Sequence, residues 1–432
     1  MIRSGTMRLG SRNSILAAAG IGLLFLAERI TEAQHTESPE LNQRARVARV
    51  ENGLLPAVTI KGQPAHKMTI ADRMKAHHIP GVSVAFFDHG QISWIRTYGF
   101  AEAANEKPVS AETLFQAASI SKPVSALAAL RLVQDGKLNL DQDVDAKLRT
   151  WKVPENEFTK EQKVTLRRIL SHSAGLTVHG FPGYASGDEL PVITQVLDGD
   201  KPANTNAIRV DTVPGTLWRY SGGGYVVMQQ LLTDATGKPF PRLLDELVLR
   251  PIGMTHSTYE QPLPRALWPA AATPYDESGL PIRGGWHTYP EMAAAGLWTT
   301  PSDLAKFAIE IQQEYAGRSN RILSTEMIHQ MLNPQKDDWG LGFAMHGGDG
   351  DLRFGHGGSN AGFECDLGAL KPTTGSIVSS AARHIGRLTK CVLVNSRCLN
   401  DPDKHTTVFT VTSLSPQQSG TRCGIGIDSP IL

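Results

Sequence analysis

The stretch Phe115 to Leu132, FQAASISKPVSALAALRL, decides how the chain is organised. It sets a serine and a lysine, Ser119 and Lys122, three residues apart at the start of an apolar helix. Residues three apart share a helix face, so the Lys122 amine lies beside the Ser119 hydroxyl and can take its proton. Without such help a serine is a poor nucleophile. A serine at a helix N-terminus also sits among unpaired backbone N–H groups, which stabilise the oxyanion formed when a carbonyl is attacked. Pro123 is tolerated inside the first turn. Beyond it Val124, Leu127, Ala128, Leu130, Leu132 and Val133 make the helix apolar on most of its surface, the mark of a buried central helix, and Asp135 and Gly136 stop it. Ser-X-X-Lys alone is a weak signal, usually a capped and solvated helix end. Burial strengthens it here, because a lysine held inside a protein rarely sits there without a purpose.

The chain has 432 residues, 41% hydrophobic and 20% charged, which is ordinary globular composition and enough for two domains or one large composite one. Its 43 basic and 42 acidic residues give a formal charge of +1. That balance leaves no electrostatic footprint for nucleic acid and no polybasic membrane patch, and it suits a small uncharged or weakly charged substrate. All four cysteines, at 365, 391, 398 and 423, fall in the last part of the chain without metal-ligand spacing. At the other end Arg3, Arg8 and Arg12 precede an apolar run from Ile15 to Ala27 and the small-X-small pattern Thr31-Glu32-Ala33. This pattern predicts an export signal over 1–33 cleaved near Ala33, with an uncleaved anchor that tethers the protein to the membrane as the alternative.

Residues 34–65 are polar and mixed and predict an N-terminal extension that packs little. A helical pattern runs from Thr69 to His78. It is followed by a hairpin of VSVAFFD (82–88) and ISWIRTYG (92–99), turning at His89-Gly90. From Asp141 to about Phe307 the pattern is helix and loop, and strand signals return at Trp339 to Met345 and Leu352 to Phe354. Strands at both ends with helices between them predict one sheet closed by distant parts of the chain, plus a mostly helical lobe.

Two further constellations have chemical content. In Arg219-Tyr220-Ser221-Gly222-Gly223-Gly224-Tyr225 a tyrosine precedes a glycine run. Glycines allow close backbone approach to a ligand, and a tyrosine at a loop tip shuttles a proton if a neighbouring cation such as Lys122 lowers its pKa. The bland alternative is a Gly-rich loop leading into the helix YVVMQQLLTDATG. In Phe354-Gly355-His356-Gly357-Gly358-Ser359-Asn360 a strand end carries a histidine and glycines, able to present a backbone N–H to a substrate carbonyl or simply to turn. Ser171-His172-Ser173-Ala174-Gly175 fails as a nucleophile elbow, because its first position is serine and no strand precedes it. His77-His78 reads as a solvated helix end.

Taken in order, Ser-X-X-Lys, Tyr-Ser-X and His-X-Gly resemble the three motifs of the penicillin-recognising serine hydrolases. The chain is most similar to their class C β-lactamase branch, which includes family VIII carboxylesterases, D-aminopeptidases and low-molecular-weight DD-peptidases. The segments IPGVSVAFFDHG (79–90), VTLRRILSHSAGL (164–176), PGTLWRYSGGGY (214–225), LRPIGMTHSTY (249–259), AAGLWTTPSDLAKF (294–307) and WGLGFAM (339–345) share the likeness, which runs from about Met68 to Leu367. The resemblance implies Ser119 as acyl-accepting nucleophile, Lys122 as its base or proton relay, and Tyr220 as the group that delivers the proton to the leaving group. It implies that His356 stands where β-lactamases place the lysine of Lys-Thr-Gly, beside Gly357 and Gly358. It implies an oxyanion hole from the backbone N–H groups of Ser119 and Ser359, and no metal or organic cofactor. Gly222 departs from the pattern: relatives mostly carry an asparagine there, whose side chain holds the substrate amide.

The expected fold is α+β, β-lactamase/transpeptidase-like, an antiparallel sheet flanked by helices with an inserted, mostly helical lobe. The sheet domain is expected from 66–118 and 308–400, and the helical domain from 119–307. The expected activity is that of a serine hydrolase working through an acyl-enzyme on ester or amide bonds of a small substrate, as an esterase or a D-amino-acid peptidase. A β-lactamase and a relative that has lost turnover are the alternatives. After Leu367 the composition breaks: HTTVFTVTSLSPQQSGTRCGIGIDSPIL (405–432) has no helical periodicity, so CVLVN (391–395) is expected to be a strand and 401–432 an atypical, poorly ordered tail.

Overall fold

A computed structural model describes residues 39–55, 64, 66–347, 352–371 and 389–394. The expected signal segment over 1–33 and the tail over 401–432 lie outside the described residues. Two compact units are separated at Gly53. In the first, the polar extension contains a helix, Pro39–Glu51, rather than irregular chain throughout. Its run of Gln, Arg, Ala and Glu explains this, since these are strong helix formers even without a clear apolar stripe.

The second unit is built on a seven-stranded sheet in the order β3-β2-β1-β9-β8-β7-β6. The strands are β1 (Gly81–Asp88), β2 (Gln91–Glu102), β3 (Lys107–Pro108), β6 (Ala344–His346), β7 (Arg353–Asn360), β8 (Phe363–Leu370) and β9 (Thr389–Val394). A two-stranded ladder joins β4 (Phe115–Gln116) to β5 (Trp298–Thr299). As expected, distant parts of the chain close the sheet, and the hairpin of β1 and β2 turns at His89-Gly90, both at positive φ. The Cys391 segment is strand β9. It runs parallel to both β1 and β8, whereas the other pairs are antiparallel. A strand that enters after a long connection is free to run parallel, which a hairpin-linked strand is not.

In sequence, most of the helices lie between the two groups of strands, and a short one, Ile70–Ala76, precedes β1. Helix α1 (Ser121–Gln134) is the buried central helix, with Val124, Leu127, Ala128 and Leu130 fully buried. It packs against α2 (Gly222–Thr236) and the short helix Met292–Ala295, while α3 (Pro301–Tyr315) lies across β1 and β2. Trp339 to Phe343, expected as strand, is loop. Gly342 there has φ +106° and approaches the Ala126 side chain so closely that an added Cβ would stand 2.9 Å from it, so strand geometry starts only at Ala344. The His356 segment lies within β7 rather than at a strand end.

Candidate active site

Ser119 lies in a 3-10 turn, Ala118–Ile120, that leads directly into α1. The turn is fixed from several sides. Ala117 N–H donates to Leu297 O at 2.8 Å, Leu297 N–H to Ser121 Oγ at 2.9 Å, and Tyr259 Oη to Ser121 O at 2.7 Å. Ala118, immediately before the serine, has φ +49°, a left-handed conformation that a residue with a Cβ keeps only when its surroundings impose it. On its other flank the turn meets the second half of β7. Strand β6 pairs only with Arg353, Phe354 and Gly355, so β7 beyond them is a sheet edge. Gly358 is required there, because any side chain would collide with the Ala117 carbonyl. Close packing of this kind brings His356, Gly357, Gly358 and Ser359 beside Ser119.

Lys122 projects from the first turn of α1 and is 2% exposed. Its Nζ donates to Ser119 Oγ at 3.0 Å and to the Ala294 carbonyl at 2.9 Å. Among the described residues no carboxylate compensates its charge, and burial pulls its pKa from the ordinary 10.5 down to about 7. The amine therefore exists in comparable neutral and protonated fractions near neutral pH, the condition for taking a proton from a serine.

Tyr220 reaches the same place from the residue before the N-cap of α2, and its hydroxyl is within hydrogen-bonding reach of Ser119. Lys122 Nζ lies 5.0 Å from the Tyr220 ring centre. The expectation that this cation lowers the tyrosine pKa is corrected. Burial dominates and pushes the phenol pKa well up, with the Ser119 hydrogen bond a smaller opposing effect. In the alkaline range where a phenol ionises, a lysine with a pKa of about 7 is already neutral and gives no pull, so Tyr220 stays a protonated phenol.

His356 faces it, with Nε2 3.5 Å from the Tyr220 hydroxyl and Nδ1 2.5 Å from the Gly357 carbonyl. A carbonyl only accepts, so Nδ1 carries the proton and Nε2 offers a lone pair to the tyrosine. Burial and nearby Lys122 lower the His356 pKa to about 3, so this imidazole is neutral and does not reproduce the charge of a lysine.

The glycines after Ser221 form the first turn of α2 rather than a loop. Ser221 caps the helix through Gly224 N–H at 2.9 Å. The free N–H groups of Gly222 and Gly223 donate to the carbonyls of His179 and Val178 at 3.0 and 2.9 Å, and Ser221 Oγ to that of Thr177 at 2.9 Å. Glycine is needed because an added Cβ at Gly223 would stand 2.5 Å from the Thr177 carbonyl oxygen. At Gly222 it would stand 2.9 Å from the Phe181 ring and 3.0 Å from the His179 carbonyl.

Sequence reasoning missed the residues that hold Tyr220. His172, set aside as a failed elbow, is buried with its ring 4.2 Å from that of Tyr220, and its Nδ1 accepts the Ser221 N–H at 3.1 Å. Burial, followed by Lys122, His356 and His179, keeps its pKa well below the ordinary value, and its Nε2 has no partner among the described residues. His179 covers Tyr220 with its ring at 4.8 Å, and Trp339 stands edge-on at 5.9 Å. The available signal was that His172 and Trp339 lie in two of the family-like segments.

The sequence model of the Beta-lactamase family matches residues 67–384. Esterase EstB of Burkholderia gladioli is 30% identical over 217 residues, covering 49% of this chain and 54% of the esterase. Penicillin-binding protein 4 of Amycolatopsis lactamdurans is 24% identical over 301 residues, 66% of this chain and 76% of that protein. Among solved structures, a penicillin-binding protein from Bacillus halodurans has a TM-score of 0.54 at 21% identity, covering 75% of this chain and 94% of its own. The D-amino acid amidase from Ochrobactrum anthropi SV3, complexed with L-phenylalanine amide, has a TM-score of 0.53 at 24% identity, covering 67% and 82%. These two likenesses show the fold. The chain spans about half the length of EstB, 54%, and 42% of Protein flp of Staphylococcus aureus.

Proposed function

The chain belongs to the beta-lactamase family, and from that premise and the geometry around Ser119 we propose that it is a serine hydrolase acting through an acyl-enzyme, with esters as preferred substrates. The observation that carries this is a fully buried lysine with no counter-ion among the described residues, its Nζ 3.0 Å from the hydroxyl of a serine in a strained turn.

In this mechanism neutral Lys122 takes the Ser119 proton as Oγ attacks the substrate carbonyl. The oxyanion is met by the backbone N–H groups of Ser119 and of Ser359 on the β7 edge. Collapse of the tetrahedral intermediate expels the leaving group, which receives its proton from the Tyr220 hydroxyl while Lys122 returns a proton to the phenol. Water then attacks the acyl-enzyme with the same groups in reverse, and carboxylic acid leaves with Ser119 restored. Neutral His356 orients the Tyr220 hydroxyl through its Nε2 lone pair.

Esters are favoured over lactams and peptides because the site offers little to hold an amide. Gly222 has no side chain, and the nearby Gln116 and Asn360 are committed elsewhere. Asn360 Nδ2 donates to Gln116 Oε1 at 2.9 Å and to Ala295 O at 3.1 Å, and Gln116 Nε2 donates to His287 O at 2.8 Å. An ester also demands less protonation of its leaving group. The names EstB and D-amino acid amidase support this range of chemistry within the family. The N-terminal pattern of Arg3, Arg8 and Arg12 before Ile15 to Ala27 supports export, with residues 1–33 as signal or membrane anchor. Turnover of p-nitrophenyl acetate, nitrocefin and D-alanine p-nitroanilide by the wild type and by Ser119→Ala tests the proposal. The ester should be fastest and all activity should vanish in the variant. Faster cephalosporin cleavage, or activity surviving Ser119→Ala, would refute it.

A further inference from the structure

A wall of the site is built by a segment with no charged or amide side chain. From Thr177 to Val178 and His179 its carbonyls accept the first hydrogen bonds of α2 and the Ser221 hydroxyl, so it is tied down along its backbone. At one end the His179 ring lies on Tyr220, 4.8 Å away. At the other end His287 Nδ1 bonds the Pro182 carbonyl at 2.9 Å, Tyr184 and Thr288 form a bridge, and Gln116 binds the His287 carbonyl. Tyr220 and Gln116 both border the Ser119 turn, so the segment spans from one side of the nucleophile to the other. Phe181 lies midway. Its ring is half-buried and takes the space that a side chain at position 222 would enter, its Cε2 2.9 Å from where that Cβ would be.

Resting on the hydrolase proposed above, we propose that Phe181 is the specificity-determining residue on the acyl side of this site, and that it selects flat, apolar acyl groups such as benzoyl or phenylacetyl. The leaving group departs past the Tyr220 hydroxyl, which faces His356. The acyl substituent therefore extends along the other wall, towards Gln116 and His287, and meets the Phe181 ring. Offset or edge-on packing of two rings there rewards an aromatic acyl group beyond its buried area. No amide-recognising side chain competes for the position, because the ring occupies it.

The test compares kcat/KM for p-nitrophenyl phenylacetate with that for p-nitrophenyl acetate in the wild type, Phe181→Leu and Phe181→Ala. Because the leaving group is constant, the ratio reads the acyl side alone. The ratio should favour the aromatic ester in the wild type, fall about threefold in Phe181→Leu and about tenfold in Phe181→Ala. Labelling of Ser119 by a small alkyl fluorophosphonate, at equal rates in all three proteins, certifies that the nucleophile is intact. Equal labelling with an unchanged ratio would overturn the assignment of Phe181 and leave the Ser119 mechanism standing. No labelling of the wild type would overturn both. If Phe181→Ala does not fold, Phe181→Leu alone decides, since a leucine keeps most of the volume and none of the ring.

Discussion

Replacing Lys122 by arginine keeps a positive charge beside Ser119 and removes the ability to accept a proton at any working pH. In the native protein burial brings the Lys122 pKa from 10.5 to about 7. About half the molecules then hold a neutral amine at pH 7, against about one in three thousand at the ordinary pKa. Acylation needs the neutral amine, so kcat/KM for an activated ester should climb about tenfold per pH unit below the midpoint and level off above it. The sign follows from the base: protonation at low pH removes it. Other groups titrate in the same range, since burial raises Glu291 and Glu314 to about 7, whereas His356, at about 3, contributes no step there. Initial rates of p-nitrophenyl acetate hydrolysis between about pH 5 and about pH 9, on wild type, Lys122→Arg, Glu291→Gln and Glu314→Gln, separate them. The wild type and both Glu variants should show the rise near pH 7. Lys122→Arg should lose it, together with at least about a hundredfold in rate. A flat profile in the wild type, or a rise that survives in Lys122→Arg, would refute the assignment of Lys122 as the base.

Tyr220→Phe should slow acylation by roughly a hundredfold or more while leaving thermal unfolding near the wild-type midpoint, because only the hydroxyl is lost and the ring contacts with His172 and His179 remain. Gly223→Ala should destabilise by about 1–3 kcal/mol in denaturant unfolding, since its Cβ would enter the Thr177 carbonyl and force the segment off the helix. Glu291 is fully buried, its carboxyl has no partner beyond its own backbone among the described residues, and burial raises that carboxyl from 4.5 to about 7. Its folded-state pKa lies above the unfolded one, so the stability associated with its protonated form is present below about pH 4.5 and is lost as pH rises through about 7. Glu291→Gln should accordingly raise the free energy of unfolding more at pH 8 than at pH 5, by up to about 3 kcal/mol at the higher pH.

What was legible in the sequence was whatever depends on local spacing. Ser119 and Lys122 meet because three residues is nearly one helical turn, and the β1–β2 hairpin follows from two β-prone runs that meet at the His89-Gly90 turn. The direction of β9 was not legible, because it is set by pairing with strands distant in sequence. Gly222 was only half legible. Its missing side chain reads as a lost contact to substrate, and the structure adds that a Cβ there would crowd the Phe181 ring and the His179 carbonyl, 2.9 and 3.0 Å away. His172 carries no motif of its own, and its place under Tyr220 depends on the loop that returns its Nδ1 to the Ser221 N–H. The tyrosine pKa was misjudged in sign because one cation was weighed without the burial that surrounds the phenol.

The central claim is that an acyl group is carried on Ser119. The direct measurement is mass spectrometry of the full-length protein quenched with acid during turnover of a slowly deacylating aryl ester, followed by peptide mapping. One acyl group per chain, on the peptide bearing Ser119 and absent from Ser119→Ala, is the predicted result. Turnover with no acyl adduct, or an adduct on any other residue, would contradict the account.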